Sequence, residues 1–264
     1  MTPEDIAGSQ SVRTAALEDI LRLLLSGSED VLRELIENPA FDETHVCLLL
    51  ERKDISSAIV EKIAKRKQWG SVYRVRRALA GHPRTPRLLA IRALRDLHLM
   101  DLVRISLLPT SSGDLRRLAE ERVLKQLPQL PLGQRLMLAR RGSARVASGL
   151  ILHGPGQVAR IALDNPFLTE AQLLKTLSHD SLSARIIDIV AVHEKWARPV
   201  NVRVALLRHS HAPAERAAAL AADLPRRDIQ DLLGLSRLSQ IVRLALIQEL
   251  ARGESPDNAG PASA

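Results

Sequence analysis

The segments VRRALAGHPRTP (residues 75–86) and VARIALDNPFLT (residues 158–169) share one plan: an apolar helical stretch, a polar residue, a proline and a helix-starting residue. The same plan is followed, with substitutions, by VLRELIENPAFD (31–42), EERVLKQLPQLP (120–131) and VRVALLRHSHAP (202–213). Proline cannot continue a helix and disfavours the α conformation in the residue before it. Each segment therefore predicts a helix that ends in a turn.

These segments recur at a nearly constant spacing. Aligned on Pro39, Pro83, Pro128, Pro166 and Ser210, they lie 44, 45, 38 and 44 residues apart. Valine stands eight residues before the aligned position in four of the five segments, and leucine stands four residues before it in four. Since positions i and i+4 share a helix face, every repeat is expected to bury the same stripe. A fixed period of this length predicts an all-α solenoid of about five repeats.

The residue three places after each aligned position suits a helix start. These residues are Asp42, Pro86, Pro131, Thr169 and Pro213. Asp and Thr are favoured N-caps, and Pro is favoured in the first helical turn, so each repeat is predicted to contain two or three short helices. We expect helical caps near 14–26 and 236–252 in a single repeat domain at 13–252, with disordered ends at 1–12 and 253–264.

The composition agrees with a helical protein. Hydrophobic residues make up 45% of the chain and aromatic residues only 2%. The core must therefore be built from Leu, Ala, Val and Ile, whereas sheet proteins are usually richer in aromatic residues. The single cysteine, Cys47, excludes an intramolecular disulfide and a multi-cysteine metal site. With no apolar leader and no long apolar run, the sequence favours the cytoplasm.

The period and the helix–turn–helix pattern resemble HEAT and armadillo-like repeats. The turns NPFLT (165–169) and HPRTP (82–86), each followed by a leucine-rich helix, look like the variant leucine-rich repeat branch of those solenoids. The resemblance covers roughly residues 29–252 and implies a repeat architecture rather than a particular activity. Some proteins of that branch carry an iron–sulfur cluster held by several cysteines, a feature that does not carry over to a chain with one cysteine.

Charge is distributed unevenly along the chain. Residues 1–50 contain 3 basic and 10 acidic side chains, whereas residues 51–100 contain 13 and 4, and the whole chain has a net charge of +8. An acidic end followed by a basic middle indicates an acidic partner, nucleic acid or head-to-tail self-association. A solvated basic surface without a partner is the alternative.

Arginine recurs at one position of the repeat. Six residues before the aligned position stand Arg33, Arg77, Arg122 and Arg160, with Arg203 one position off, and we call these five residues the arginine line. Stacked repeats would bring the arginine line together as donors for carboxylate or phosphate. A basic patch is predicted beside it from Lys62, Lys65, Arg66, Arg74, Arg84 and Arg87. The alternative for both sets is a solvated face paired with acidic neighbours such as Glu34 or Glu121.

The remaining residues of chemical interest have structural interpretations. Cys47 aligns with apolar residues of the other repeats and is expected to pack as a small hydrophobe. His82 and His209 occupy the place of Asn38 and Asn165 in other repeats, which indicates turn residues rather than metal ligands. Two tryptophans stand fourteen residues before their aligned positions. This placement favours packing between helices over stacking on a nucleic-acid base.

These observations favour a non-catalytic scaffold that binds a protein partner, with an acidic surface, through a basic face. Nucleic-acid binding through phosphates is the alternative. A DNA glycosylase of the HEAT-like kind is a more remote one and would need aromatic residues and a carboxylate facing one groove. The sequence contains no HExxH, P-loop or GxSxG motif, and we expect no enzyme activity, cofactor or metal.

Overall fold

The computed structural model describes Val12 and residues 17–252. These residues form 18 α-helices and contain no strand, so the predicted all-α class is confirmed. The chain divides into two compact units, Met1–Lys125 and Gln126–Ala264. The predicted single repeat domain stays a prediction. The ends predicted to be disordered lie outside the described residues, apart from Val12.

Unit 1 is formed by nine described helices connected by short turns. They are α1 (Leu17–Ser26), α2 (Glu29–Leu35), α3 (Glu43–Leu49), α4 (Ser57–Lys65), α5 (Lys67–Gly70), α6 (Tyr73–Gly81), α7 (Arg87–Leu94), α8 (Leu99–Leu107) and α9 (Gly113–Gln126). The last residue of α9 is the first of unit 2. The helices are short because polar or proline-containing turns interrupt the apolar pattern every ten residues or so.

Unit 2 continues with nine further helices among its described residues. They are α10 (Leu132–Arg141), α11 (Ala144–His153), α12 (Gly156–Leu163), α13 (Glu170–Leu177), α14 (Ala184–Ala191), α15 (Val200–Arg208), α16 (Ala217–Ala221), α17 (Arg226–Leu233) and α18 (Gln240–Arg252). Two 3₁₀ turns, Leu127–Gln129 and Ala214–Arg216, precede α10 and α16.

The predicted helix starts are confirmed at four of the five positions. Asp42 is the N-cap of α3, and its carboxylate accepts hydrogen bonds from the backbone N–H groups of Thr44 (2.9 Å) and His45 (3.1 Å). Pro86, Pro131 and Thr169 are the N-caps of α7, α10 and α13. Pro213 differs, because it introduces the 3₁₀ turn before α16 rather than an α-helix.

Helices pack in rows within each unit. In unit 1, α1, α3, α6 and α8 pack side by side in that order, while α2 packs against α1 and α4. In unit 2, α10, α12 and α14 form one row, and α11, α13, α15 and α17 form the other. Several helices therefore contact both their neighbour in the chain and the next helix of their own row.

The spacing of helices along a row differs from the spacing of the aligned segments. Successive helices of the unit 1 row begin at Leu17, Glu43, Tyr73 and Leu99, so one hairpin takes fewer residues than the 38–45 that we predicted. The aligned segments end α2, α6, α9, α12 and α15, and α2 and α6 lie in different rows. The same combination of a polar residue, a proline and a helix-starting residue recurs in both rows, because helices of either row must end in a turn and be followed by a new helix.

The local register is confirmed in three of the five segments. Val75, Val158 and Val202 are each the third residue of their helix, and each is fully buried. Leu79 and Leu206, four residues later, are also buried. In the other two segments Val31 and Leu124 are only half-buried, so the same stripe is not buried equally in all five.

Four buried polar residues fasten these turns. We call Asn38, His82, Asn165 and His209 the latch residues; they are 5%, 4%, 1% and 8% exposed. One side-chain atom accepts the backbone N–H two residues on, at 2.8, 3.1, 2.8 and 3.1 Å respectively. The other end reaches a backbone carbonyl of the preceding hairpin in the same unit: Val12, Arg52, Ala139 with Gly142, and His179. The interpretation of both histidines as turn residues is confirmed.

The latch geometry fixes the histidine tautomer. The Nδ1 atom of His82 accepts the Arg84 N–H, so the proton of the neutral ring is on Nε2, which lies 2.8 Å from the carbonyl oxygen of Arg52. Burial lowers the pKa of His82, which favours this neutral form. Leu127 stands at the corresponding place before Pro128 and has no polar atom to make such bonds.

Both tryptophans are part of the core. Trp69 and Trp196 are each 3% exposed, and the indole Nε1 of Trp196 donates to the carbonyl oxygen of Leu163 at 2.8 Å. Phe41 contacts the ring of Trp69 edge-on. The prediction that these tryptophans pack between helices is confirmed.

Candidate basic groove

Within each unit, members of the arginine line lie on different rows of helices. Arg33 on α2 pairs with Glu29 at 3.0 Å, and Arg77 lies on α6, in the other row of unit 1. In unit 2, Arg160 on α12 and Arg203 on α15 also lie in different rows. A continuous arginine line stays a prediction.

Two members of the arginine line instead stabilise helix ends. Arg122 donates through Nη1 to the carbonyl oxygen of Arg95, just past α7, at 3.2 Å. The Nη1 of Arg203 donates to the carbonyl oxygen of Ala222, just past α16. Carbonyls at a helix C-terminus have no partner within the helix, and a guanidinium satisfies them. These two arginines have a structural role.

The basic side chains at the end of α4 and just after it are paired with acidic neighbours. Glu37 binds Lys62 at 2.7 Å and also pairs with Arg66, while Lys65 pairs with Glu61 at 2.6 Å. Hydrogen bonds from Arg66 and Lys62 lower the pKa of Glu37 to about 2. This part of the predicted patch follows the alternative interpretation, in which basic side chains are paired with acidic ones.

Arg84 and Arg87 lie beside the latch of His82. The guanidinium of Arg87 is 2.9 Å from the Asp114 carboxylate, while Arg84 is exposed. A pocket of about 200 Å³ lies between residues 82–87 and 110–115, and Ser111, which is 7% exposed, lines it. The hydroxyl of Ser111 has no hydrogen-bond partner among the described residues.

The other predicted basic residues, Arg74 and Arg77, line a groove that we call the unit 1 groove. It crosses the row formed by α3, α6 and α8 and has a volume of about 200 Å³. Its walls are Cys47, Leu50, Glu51, Lys53, Arg74, Arg77, Ala78, Gly81, Asp101, Arg104, Ile105 and Leu108. A side chain at Gly81 would meet the Cδ1 atom of Ile105 at 3.2 Å, so glycine allows α6 and α8 to approach closely here.

The unit 1 groove is positively charged. Its lining includes four cationic side chains and two carboxylates. Asp101 is already engaged, because it accepts a hydrogen bond from the hydroxyl group of Tyr73 and lies 3.9 Å from Arg77. Burial and the neighbouring Asp101 raise the pKa of Tyr73, so this phenol keeps its proton and remains a donor. Within residues 17–252, neither Arg74 nor Arg104 has a carboxylate within ion-pair distance.

Cys47 forms part of the groove wall and is half-buried. Burial, with Glu43 nearby, raises the pKa of its thiol, whereas Arg74 and Arg77 act in the opposite direction. The thiol is therefore protonated at neutral pH and is a weak nucleophile. Cys47 is thus less buried than the small hydrophobe that we predicted, and it lines a groove rather than the core.

Sequence reasoning missed Lys53 and Arg104. Arg104 follows Arg77 by 27 residues, and contacts between neighbouring hairpins elsewhere in unit 1 join residues 25 to 30 apart. An alignment based on the spacing of helices within a row would have placed Arg77 and Arg104 side by side. The alignment on the proline turns, with its longer spacing, did not align these two residues.

No protein-family model, curated protein sequence or solved structure matches this chain. In the part of the chain that the structure describes, no group of three or more His, Cys, Asp or Glu side chains is placed to hold a metal ion. None of the described helices has the length and hydropathy of a membrane span.

Unit 2 contains a second groove, the unit 2 groove, with a volume of about 620 Å³. It opens between α14 and residues 211–216, and Arg160, Arg185 and Arg216 contribute three guanidinium groups. Asp188 and Glu215 line the same groove and reduce its net charge. Because it also has arginine side chains but more of their charge is offset by carboxylates, the unit 2 groove serves as a control site for binding to the unit 1 groove.

Proposed function

We propose that this protein is a non-catalytic helical scaffold and that the unit 1 groove binds an acidic segment of a protein partner. The observation that carries the proposal is the pair Arg74 and Arg104. Both are exposed on neighbouring helices of one row, and neither has a carboxylate partner among the described residues. Guanidinium groups bind carboxylates through paired hydrogen bonds, so the groove offers two such positions.

The floor of the groove suits a polypeptide. Ala78, Ile105 and Leu108 supply apolar surface between the charged residues. A glutamate side chain has apolar methylene groups before its carboxylate, and these can lie on that floor while the carboxylate reaches a guanidinium. A positive groove also attracts an acidic partner over a distance, which raises the association rate at low salt.

The nucleic-acid alternative has less support from the surroundings of the groove. Single-strand binding proteins stack bases on aromatic side chains. None of the residues that line the unit 1 groove is aromatic; Tyr73 is bound to Asp101, and both tryptophans are buried. Binding to nucleic acid would then rest on phosphate contacts alone. The glycosylase alternative would need aromatic residues in the same groove.

Fluorescence anisotropy with a short fluorescein-labelled polyglutamate peptide tests the proposal at low ionic strength. The full chain is compared with Arg74→Glu/Arg104→Glu. Arg92→Glu/Arg116→Glu, two exposed positions on α7 and α9, makes the same charge change outside the groove. Arg185→Glu/Arg216→Glu makes it in the unit 2 groove. Labelled single- and double-stranded DNA of matched charge serve as competing probes.

We expect the peptide to bind and the Arg74→Glu/Arg104→Glu variant to weaken binding on the order of tenfold, with each lost ion pair worth about 0.5–1 kcal/mol and repulsion added to it. Both comparison variants should change the affinity much less. Tighter binding of DNA than of peptide would favour the nucleic-acid alternative. An affinity that falls equally in all three variants would contradict a site in the unit 1 groove.

A further inference from the structure

The unit 2 groove contains three guanidinium groups without an ion-pair partner among the described residues. Arg160 on α12, Arg185 on α14 and Arg216 in the 3₁₀ turn before α16 line the groove, and all three side chains are exposed. Within residues 17–252, none of these guanidinium groups forms an ion pair or a hydrogen bond. The groove therefore offers three free guanidinium groups to an anion that enters it.

Arg185 lies against the first turn of α12. A Cβ atom on Gly156, the first residue of α12, would meet the Nε atom of Arg185 at 3.0 Å, so the absence of a side chain lets the guanidinium group approach the helix. Arg160 follows Gly156 by four residues and shares that side of α12. Since the N-terminal end of a helix carries a partial positive charge, α12 does not offset the charge of Arg185. An anion bound here would interact favourably with both guanidinium groups.

Asp188 and Glu215 give the same groove two acceptors for hydroxyl groups. Both side chains are exposed, and neither carboxylate forms an ion pair in the part of the chain that the structure describes. A carboxylate repels a phosphate group but accepts hydrogen bonds from hydroxyl groups, as acidic side chains do from the ribose of bound nucleotides. Ile189, Val192 and Pro213 add apolar wall between the charged groups. This lining suits a ligand that carries hydroxyl groups beside a phosphate.

We propose that the unit 2 groove binds a sugar phosphate, either free or as the ribose phosphate of a nucleotide. Arg160, Arg185 and Arg216 bind the phosphate, because guanidinium groups donate paired hydrogen bonds to phosphate oxygens. The sugar hydroxyl groups donate to Asp188 and Glu215. The volume of about 620 Å³ lies within the usual range of small-molecule sites.

The two grooves select different anions. A polyglutamate peptide has no hydroxyl groups for Asp188 and Glu215, and its carboxylates are repelled by both. A sugar phosphate concentrates its negative charge on one group that the three arginines can share, while its hydroxyl groups satisfy the two carboxylates. The inference uses no residue of the unit 1 groove, so it stands or falls independently of the proposed function.

Isothermal titration calorimetry of the full chain at low ionic strength tests the inference. The probes are ribose 5-phosphate, adenosine 5′-monophosphate, ribose and inorganic phosphate. Arg185→Gln/Arg216→Gln removes two guanidinium groups from the groove. Arg140→Gln/Arg227→Gln makes the same change at two exposed positions of unit 2, on α10 and α17, that do not line the groove. Circular dichroism checks that each variant retains its helices.

We expect ribose 5-phosphate to bind more tightly than inorganic phosphate and ribose alone to give no detectable heat. Arg185→Gln/Arg216→Gln should weaken the binding of ribose 5-phosphate by about tenfold or more, and the control pair should leave it within about twofold. Tighter binding of adenosine 5′-monophosphate than of ribose 5-phosphate would support the nucleotide form of the proposal. Equal or weaker binding would support the free sugar phosphate.

Asp188→Asn separates a sugar phosphate site from a simple anion site. The substitution removes a charge that repels any phosphate, but it also replaces a strong hydroxyl acceptor with a weaker one. The preference for ribose 5-phosphate over inorganic phosphate should therefore fall, whereas Asp231→Asn, at an exposed position on α17, should leave it unchanged. The proposal is overturned if ribose 5-phosphate does not bind, if Arg185→Gln/Arg216→Gln binds it normally, or if Asp188→Asn keeps the full preference.

Discussion

The side-chain nitrogen of Asn165 lies 2.8 Å from the carbonyl oxygen of Ala139 and donates a hydrogen bond to it across 26 residues of sequence. The same nitrogen lies 3.0 Å from the carbonyl oxygen of Gly142, and the side-chain oxygen accepts the Phe167 N–H at 2.8 Å. Asn165 is only 1% exposed. One buried amide therefore shapes its own turn and fastens it to the preceding hairpin.

Replacing Asn165 with alanine should destabilise unit 2. The change leaves the Ala139 and Gly142 carbonyls buried without this donor, and it removes the bond that shapes the turn, at a total cost of about 2–4 kcal/mol. Urea unfolding in a Trp69→Phe background gives the value, since Trp196 is then the sole tryptophan. Asn201→Ala, which removes an exposed bond to Glu170, should cost less than about 1 kcal/mol. Equal losses of stability in Asn165→Ala and Asn201→Ala would contradict a special structural role for Asn165.

His82 should make stability depend on pH. Its folded-state pKa is lowered by burial from an ordinary value of 6.5, so between these two values the unfolded chain binds more protons. Stability is then complete above about pH 6.5 and falls as the pH drops below it. In His82→Asn the difference in melting temperature between pH 7.5 and pH 5 should shrink, although the shorter side chain costs about 1 kcal/mol at neutral pH. An unchanged difference would contradict a neutral, buried His82.

Glu37 should stabilise unit 1 at neutral pH without taking part in peptide binding. Its pKa of about 2 lies below the ordinary 4.5, so its stabilising effect is complete above pH 4.5 and disappears as the pH falls towards 2. Because the pair is partly exposed, we expect Glu37→Gln to cost only about 1 kcal/mol at pH 7. Thermal unfolding of both proteins at pH 7 and pH 3 measures the difference, which should be smaller at pH 3.

Arg203 should affect stability rather than binding. Arg203→Ala leaves the carbonyl oxygen of Ala222 without its guanidinium donor, with an expected cost of about 1–2 kcal/mol in the free energy of unfolding. The affinity for polyglutamate should stay within about twofold, since Arg203 does not line the unit 1 groove and a charge outside a binding site has little effect on affinity. A strong loss of affinity with unchanged stability would restore Arg203 as a binding residue.

The sequence predicted helices and turns well because these depend on neighbouring residues. Proline after a polar residue marked helix ends just before Asn38, His82 and Asn165, and capping residues such as Asp42 and Thr169 marked the starts of the next helices. The row spacing could not be obtained in this way. It depends on which helices meet across the core, and the same turn chemistry appears in both rows.

The candidate site was predicted only in part for the same reason. Arg74 and Arg77 are close in sequence and share α6, so a local pattern found them. Arg104 lies beside them only because α6 and α8 pack in one row. Arg203 instead donates a hydrogen bond to the carbonyl oxygen of Ala222, at a helix end 19 residues further on. Glu37 forms ion pairs with both Lys62 and Arg66, and no repeat pattern indicates that acidic partner.

Cys47 offers the most direct test of the unit 1 groove, because the only cysteine of the chain lies in its wall. The measurement is the rate of Cys47 alkylation by iodoacetamide at mildly alkaline pH, with increasing polyglutamate peptide. We predict saturable protection whose midpoint matches the anisotropy affinity, and no protection of Arg74→Glu/Arg104→Glu at the same peptide concentrations. An alkylation rate that stays constant while the peptide is bound would place the peptide elsewhere and contradict the proposed groove.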